Sequence, residues 1–262
     1  MQTKKQKGIS ASTLKIIALI TMFIDHIGAA LIEEGLLPVL SSPVLSSRIL
    51  VRKYSAYIPI DYDLWYHIYI VLRLIGRISF PIYCFLLVEG FIHTKNVKKY
   101  AIRLGLFALI SEIPFNLAFY GEVFHSGKNV FFTLLIGLCT IWGMKALETL
   151  PSWQIQIPFR ILIAFTGMII AKFLRTDYAD FGVLLIVLLY LFRNNRKQQS
   201  IVGAISIIWR FINTIWRYTA PLAFLCTYFY NGERGKQLPK AFFYSFYPIH
   251  LLLLYAIRIL LF

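Results

Sequence analysis

Hydrophobic positions along this chain fall into membrane-length runs, broken by short clusters of basic residues, proline and glycine. The first run, Leu14–Ile32, rises roughly 28 Å as a helix, enough to cross the hydrocarbon core of a bilayer. A polar-flecked loop follows over about 33–63, with Pro38, Pro43 and Pro59 and several serines. Tyr62–Arg77 mixes aromatic residues with His67, Arg73 and Arg77 and reads as an interfacial or half-inserted helix. Arg73 and Arg77, four apart, share one of its faces. Ile78–Phe91, Tyr100–Phe119 and Asn129–Ala146 read as the next crossings, the last followed by a connector with Pro151 and Pro158. Phe159–Leu174 and Phe181–Phe192 pair around the turn Arg175–Asp180. Ser200–Tyr230 is too long for one helix and splits into two short spans near Trp209–Arg210 and Trp216–Arg217, which look like an interface. Ala241–Phe262 is the last span. The pattern predicts an all-α, polytopic integral membrane protein of about nine to ten transmembrane helices, in a single domain over 1–262.

Composition agrees. The chain is 58% hydrophobic and only 15% charged, with a mean hydropathy of +0.68, against about half apolar and a quarter charged in soluble domains. A formal charge of +15 would suit nucleic acid. The cations, however, sit between apolar runs, where topology and anionic lipid account for them, and no basic recognition helix or aromatic platform appears. With the amino terminus cytoplasmic, the crossings place Lys4–Lys7, Lys95–Arg103, Arg193–Lys197 and Arg234–Lys240 on the cytoplasmic side of the cell membrane. That layout requires Tyr62–Arg77 not to cross fully. Lys4, Lys5 and Lys7 before an apolar run resemble a signal peptide, with Gly28–Ala30 as a weak cleavage site, but charged and imidazole groups inside the run favour a retained helix. Cys84, Cys139 and Cys226 are far apart and offer neither metal spacing nor a disulfide framework. No internal repeat is apparent, which counts against an inverted-repeat transporter.

Few polar residues lie inside the runs. Asp25 and His26 sit in the first, and Lys15, separated from His26 by ten residues, falls within ~20° of it on the helical wheel. A histidine at mid-membrane depth needs a partner or a cavity. Taken singly, His26 reads equally as a helix–helix hydrogen bonder and Lys15 as a snorkelling anchor. Glu89, Glu112, Asn116 and His250 are further polar groups within spans, and several in one chain point to a shared cavity, to which Asp177 and Tyr247 are added. Pro114 bends its helix and Pro248 frees a carbonyl near Tyr244. A neutral histidine can take the proton of a hydroxyl or amine as it attacks a carbonyl, and a carboxylate such as Asp25 can orient the ring. No GxSxG, P-loop or HExxH motif is present, and no metal is expected. Lys98, Lys99, Arg103, Arg234 and Lys236 could hold phosphates, or serve only as topology signals.

The runs LKIIALITMFIDHIGA, GRISFPIYCFLLVEGFIHTKNVKKYAIRLGLFALISEIPFNLAFYG and NVFFTLLIGL, then TDYADFG, YNGERG and FFYSFYPIHLLLLY, resemble the TraX family over almost the whole chain. TraX proteins are associated with acetylation of the amino terminus of conjugative pilin, and the family is similar to the wider transmembrane acyltransferases. In those, a basic residue and a histidine ten residues apart on the first helix form a hallmark, which Lys15 and His26 match. The acyl donor there is cytoplasmic acyl-coenzyme A, and a basic motif follows the second crossing; Lys98, Lys99 and Arg103 occupy that place without a strict arginine pair.

The resemblance implies an acetyl-CoA-dependent O/N-acetyltransferase with His26 as general base and Asp25 and Lys15 in support. Acetyl-CoA is then the co-substrate, its phosphates held by Lys98, Lys99 and Arg103, with Arg234 and Lys236 secondary. The expected acceptor is an amine or hydroxyl of a glycan or of an exposed protein amino terminus, an amino sugar being slightly favoured over a pilin terminus. It would meet the loop 33–61, the aromatic segment 62–72, and Asp61, Asp63, Asp177 and Asp180 around Tyr178. Two other readings stand beside this one: a transporter or flippase of a polar substrate, and an assembly factor for a surface apparatus. Self-association is left open.

Overall fold

A computed structural model describes residues 8–41, 61–236 and 239–262. Lys4–Lys7 and the proline- and serine-containing stretch 42–60 lie outside the described residues. The helices are α1 (Ala11–His26), continued by a π-helix (Ile27–Leu36) and α2 (Leu37–Ser41), then α3 (Tyr62–Gly76), α4 (Ser79–His93), α5 (Val97–Ile110), α6 (Glu112–Tyr120) and α7 (Val130–Ala146). After them come α8 (Trp153–Phe173), α9 (Ala179–Leu191), α10 (Arg196–Arg210), α11 (Ala223–Tyr228) and α12 (Lys240–Leu261). Among the described residues no strand forms; only isolated bridges, Ile9 to Tyr230 and Lys128 to Thr176, occur.

Local sequence sets where these helices begin. Ser10, Asp61, Asn96, Asn129, Ser152 and Asn195 each stand at a helix start and accept a hydrogen bond from a first-turn amide, which satisfies donors that have no partner within the helix. Ser152 starts α8 earlier than expected, so Pro158 lies inside that helix rather than in a connector. Pro114 would have donated to Ile110, and the chain bends by 42° between α5 and α6 at that point.

Among the described residues, five helical stretches are long and apolar enough to span a membrane: Ala11–Ser41, Tyr62–His93, Val130–Thr149, Trp153–Phe173 and Ala241–Leu261; the bent pair α5–α6 makes six. This all-helical, multi-pass architecture is the expected class. The larger count of nine to ten drew on α9 and on the two halves of 200–230. α9 has only 13 residues, α10 has 15 and α11 has 6, so they fall below the length of a full span. Two expected boundaries are corrected. Glu33–Ser41 continues the first helix instead of opening a loop, and Tyr62–Arg77 is not separate from the next crossing, since α3 runs on into α4 as one 32-residue stretch.

That stretch lies antiparallel to the first helix. Ser79 Oγ donates to the Ala18 carbonyl (2.9 Å), and Gly76 sits directly on Asp25, where a β-carbon would collide with the aspartate side chain. Small residues at such crossings let helix backbones approach closely. Helices α7, α8 and α9 pack side by side, α10 and α11 lean on α9 and α4, and the second half of α12 packs on α6 and the π-helix. Leu14, Ile82, Phe85, Leu138, Ile141, Leu185 and Leu189 fill the centre. One end of the bundle gathers the chain start and the basic turns: Ala11 N–H donates to Glu233 O (2.9 Å), and Arg196 meets Glu89 (3.2 Å) near His93. The basic clusters within the described residues therefore share an end even though Tyr62–His93 is a single stretch.

Candidate functional site

At the opposite end of α1 a hollow of about 260 Å³ opens, walled by His26, Asp25, Arg73, Arg77, Asp177 and Tyr247, with Glu33 and Glu34 also on its lining. The antiparallel pairing of the two long stretches brings Asp25 and His26 opposite Arg73, Gly76 and Arg77. The turn between α8 and α9 supplies Asp177, and α12 supplies Tyr247 and, behind His26, His250.

The two histidines fix each other's protons. His250 Nδ1 lies 2.6 Å from the Phe246 carbonyl. A carbonyl only accepts, so Nδ1 carries the hydrogen and Nε2 of the neutral ring is an acceptor. His26 Nδ1 lies 2.6 Å from that Nε2 and so must be the donor. The lone pair of His26 is thereby assigned to its Nε2, which has no hydrogen-bond partner among the described residues. The network sets the tautomer. The two imidazole rings are nearly coplanar, 5.0 Å between centroids and 6° from parallel, as an in-plane N–H···N bond requires, and edge contacts from Phe119 and Tyr247 hold the His26 ring in place.

Asp25 does not touch His26. Its carboxylate is shared by Arg73 (2.6 Å) and Arg77 (3.3 Å), and Arg77 lies over the Trp216 ring at 5.1 Å. The expected role of Asp25 as the orienter of His26 passes to His250. Neighbouring residues on a helix point about 100° apart, so the adjacent aspartate turns to α3 while the imidazole turns to α12. Asp177 is exposed at the edge of the hollow; the protein packed around it raises its carboxyl to about 6, with Arg77 pulling the other way.

The other expected site residues are scattered. Lys15 does face the same neighbour as His26, sitting over the Phe243 ring of α12 at 5.3 Å, but it is not on the hollow. Glu89 pairs with Arg196 and His93 at the other end of the bundle. Glu112 binds Lys128 (2.8 Å) and the Asn129 side chain (2.8 Å), bracing the start of α7. Asn116 is buried and donates to the Val123 carbonyl. None of these three lines the hollow, because each is consumed in joining helix ends. Exposed Lys98, Lys99, Arg234 and Lys236, with half-buried Arg103, lie toward the end where the chain starts. A larger, shallower groove of about 670 Å³ lies there too, between Asn194–Lys197 and Tyr228–Asn231. Its Arg196 is already committed to Glu89 and Gln199, so the reactive geometry belongs to the smaller hollow.

Sequence reasoning missed Arg73, Arg77, Glu33 and Glu34 as site residues. The signal existed for the arginines: two on one face of an apolar helix need a partner or a polar cavity. Glu33 and Glu34 fell in what read as a loop.

The TraX family, described as TraX protein, matches residues 10–258. The chain is 26% identical over 275 aligned residues to the "Probable fimbrial assembly protein FimC, serogroup H1" of Dichelobacter nodosus, covering 96% of this chain and 97% of the relative. No solved structure matches it significantly.

Proposed function

We propose, from the premise that the chain belongs to the TraX family, that it is a membrane-embedded assembly factor for a surface fibre that acts by acyl transfer at His26. The assembly part is supported by the name of the fimbrial relative. The chemical part rests on one observation, the imidazole whose Nδ1 is tied to His250 and whose Nε2 is left as a base on a polar hollow.

The reaction this arrangement suits is aminolysis of an acetyl thioester. The acceptor binds as an ammonium and loses one proton to water. Its neutral nitrogen then attacks the carbonyl carbon, a C–N bond forms, and a second N–H proton passes to His26 Nε2. The C–S bond then breaks and the departing thiolate takes that proton. On the walls, Asp25, Asp177, Glu33 and Glu34 outnumber Arg73 and Arg77, which favours a cationic amine over a neutral hydroxyl. The fimbrial relative moves the preferred acceptor from an amino sugar to an exposed protein amino terminus.

Acetyl-CoA is the donor in this reading, with Lys98, Lys99, Arg103, Arg234 and Lys236 as candidates for its phosphates at the cytoplasmic end. Helix rise from Ala11 to His26 is about 22 Å. The thioester arm would follow the seam between α1 and α12, marked by Lys15 over Phe243, Phe23 against Phe246 (6.1 Å) and His26 against His250.

Purified protein offered labelled acetyl-CoA with free-amino-terminal peptides, amino sugars and neutral sugars tests this. Label should reach an amine acceptor, and His26→Ala should abolish transfer while the protein stays folded. Solute flux into liposomes without any transfer would replace the reading with a transporter. Fibre assembly in cells that tolerates His26→Ala would leave an assembly factor without this chemistry.

A further inference from the structure

One group on the hollow has no part in the proton network of the two histidines. Tyr247 is 3% exposed, lines the hollow, and presents its ring edge-on to His26 with centroids 5.8 Å apart. Phe131 packs against its other side at 5.1 Å. The Val130 backbone amide, at the first position of α7, faces its hydroxyl.

That amide is one of the helix-start donors with no partner inside the helix. Its neighbours are cared for separately: Phe131 N–H donates to the Asn129 side chain (3.1 Å) and Asn129 N–H to Glu112 (3.4 Å). An amide nitrogen can only donate, so the Tyr247 oxygen is the acceptor. The phenolic hydrogen is then free to point elsewhere, and the positive end of α7 makes it a stronger donor. No acceptor for it occurs among the described residues, and the open space beside it is the hollow.

We propose that the Tyr247 hydroxyl is a catalytic hydrogen-bond donor to the carbonyl oxygen of the acyl group, holding the oxyanion that develops as the acceptor attacks. This rests on the acyl-transfer reading of the site. The step moves no proton: as the C–N bond forms, the carbonyl electron pair shifts to oxygen beneath the Tyr247 O–H. It returns when the C–S bond breaks, and the acceptor's proton goes to His26 Nε2 throughout. Base and donor thus come from α1 and α12 on one wall of the same space.

A purely structural role would have Tyr247 do no more than satisfy the Val130 amide. The two roles separate when that amide is removed. Asn129 is extended, with φ −65° and ψ 165°, the conformation proline demands of its predecessor, and proline is well tolerated at a first helical position. Val130→Pro therefore deletes the donor without deleting the helix.

The experiment measures label transfer from acetyl-CoA by wild type, Tyr247→Phe, Val130→Pro and the double variant, with thermal unfolding of each in detergent. Tyr247→Phe should lower kcat about 10²-fold, the usual loss for one oxyanion donor, with KM little changed. The drop should persist when Tyr247→Phe is made in the Val130→Pro background, where no amide is left orphaned. Unchanged kcat in a folded Tyr247→Phe protein, with His26→Ala inactive, overturns the proposal and leaves the acyl-transfer reading standing. A loss present only in the Val130 background, and tracking lost stability, also overturns it. Absence of transfer by wild type removes both.

Discussion

His26 and His250 lie on different helices and far apart in sequence, yet Nδ1 of one stands 2.6 Å from Nε2 of the other. Since His250 is itself anchored to the Phe246 carbonyl, the pair is a directional chain that ends on the free nitrogen of His26. Truncating His250 to Ala should therefore let His26 rotate and change tautomer. Transfer should fall by about 10²-fold or more, and its pH profile should move. His250→Gln, which keeps an acceptor at similar reach, should recover part of the rate. Equal losses for both variants, with no change in pH profile, would mean that His250 serves packing alone.

Asp25 is the shared acceptor of two cations one turn apart. Asp25→Ala leaves Arg73 and Arg77 facing each other without it, and should lower stability by about 3 kcal/mol, read as a drop in unfolding temperature in detergent. Asp25→Asn, which still accepts a hydrogen bond, should lose less. At saturating acceptor, activity in both should follow the folded fraction, in contrast to His26→Ala, which should be folded and inactive.

Gly76 permits α1 and α3 to touch at the site, since an added β-carbon would collide with Asp25. Gly76→Ala should cost about 2 kcal/mol through overpacking. Gly143→Ala is the control. Its β-carbon would meet only Ile163, at 3.4 Å, and alanine is the better helix former, so it should be neutral or stabilising.

The protein packed around Asp177 disfavours its charged form and raises its carboxyl to about 6, above the ordinary value of 3.8. The folded state therefore holds this proton more tightly than the unfolded chain. Stability from this group is full below pH 3.8 and is lost as pH rises through about 6. Asp177→Asn should be more stable than wild type at pH 7–8. The difference between the two should shrink as pH falls from 6 to 4. A difference independent of pH would show that the carboxyl is not the titrating group.

Much of the architecture was legible in the sequence because apolar length and basic punctuation report directly on a bilayer. The pairing of Lys15 with His26 on one face was legible too, as both turn to α12. The site itself was only half legible. His26, Asp25, Asp177 and Tyr247 do meet around one hollow. Glu89, Glu112 and Asn116 do not, since a polar residue in an apolar run has the same sequence signature whether it faces a cavity or staples two helix ends. Arg73 and Arg77 were read as interfacial because their helix was cut from α4. Which carboxylate they share depends on the close crossing at Gly76, and no local pattern encodes that.

The π-helix over Ile27–Leu36 begins at the residue after His26. Each residue in such a winding advances less around the axis than in an α-helix, and over its ten residues the lag accumulates to roughly half a turn. The proposed base therefore stands at a phase boundary. Below it the helix presents one set of faces to α3 and α4, while beyond it Glu33, Glu34 and Gly35 are re-aimed toward α3, α6 and α12. A wheel drawn through the whole of Ala11–Ser41 with one period misassigns everything past His26. Rewinding this stretch to α geometry would swing both glutamates around the axis while His26 stayed where it is.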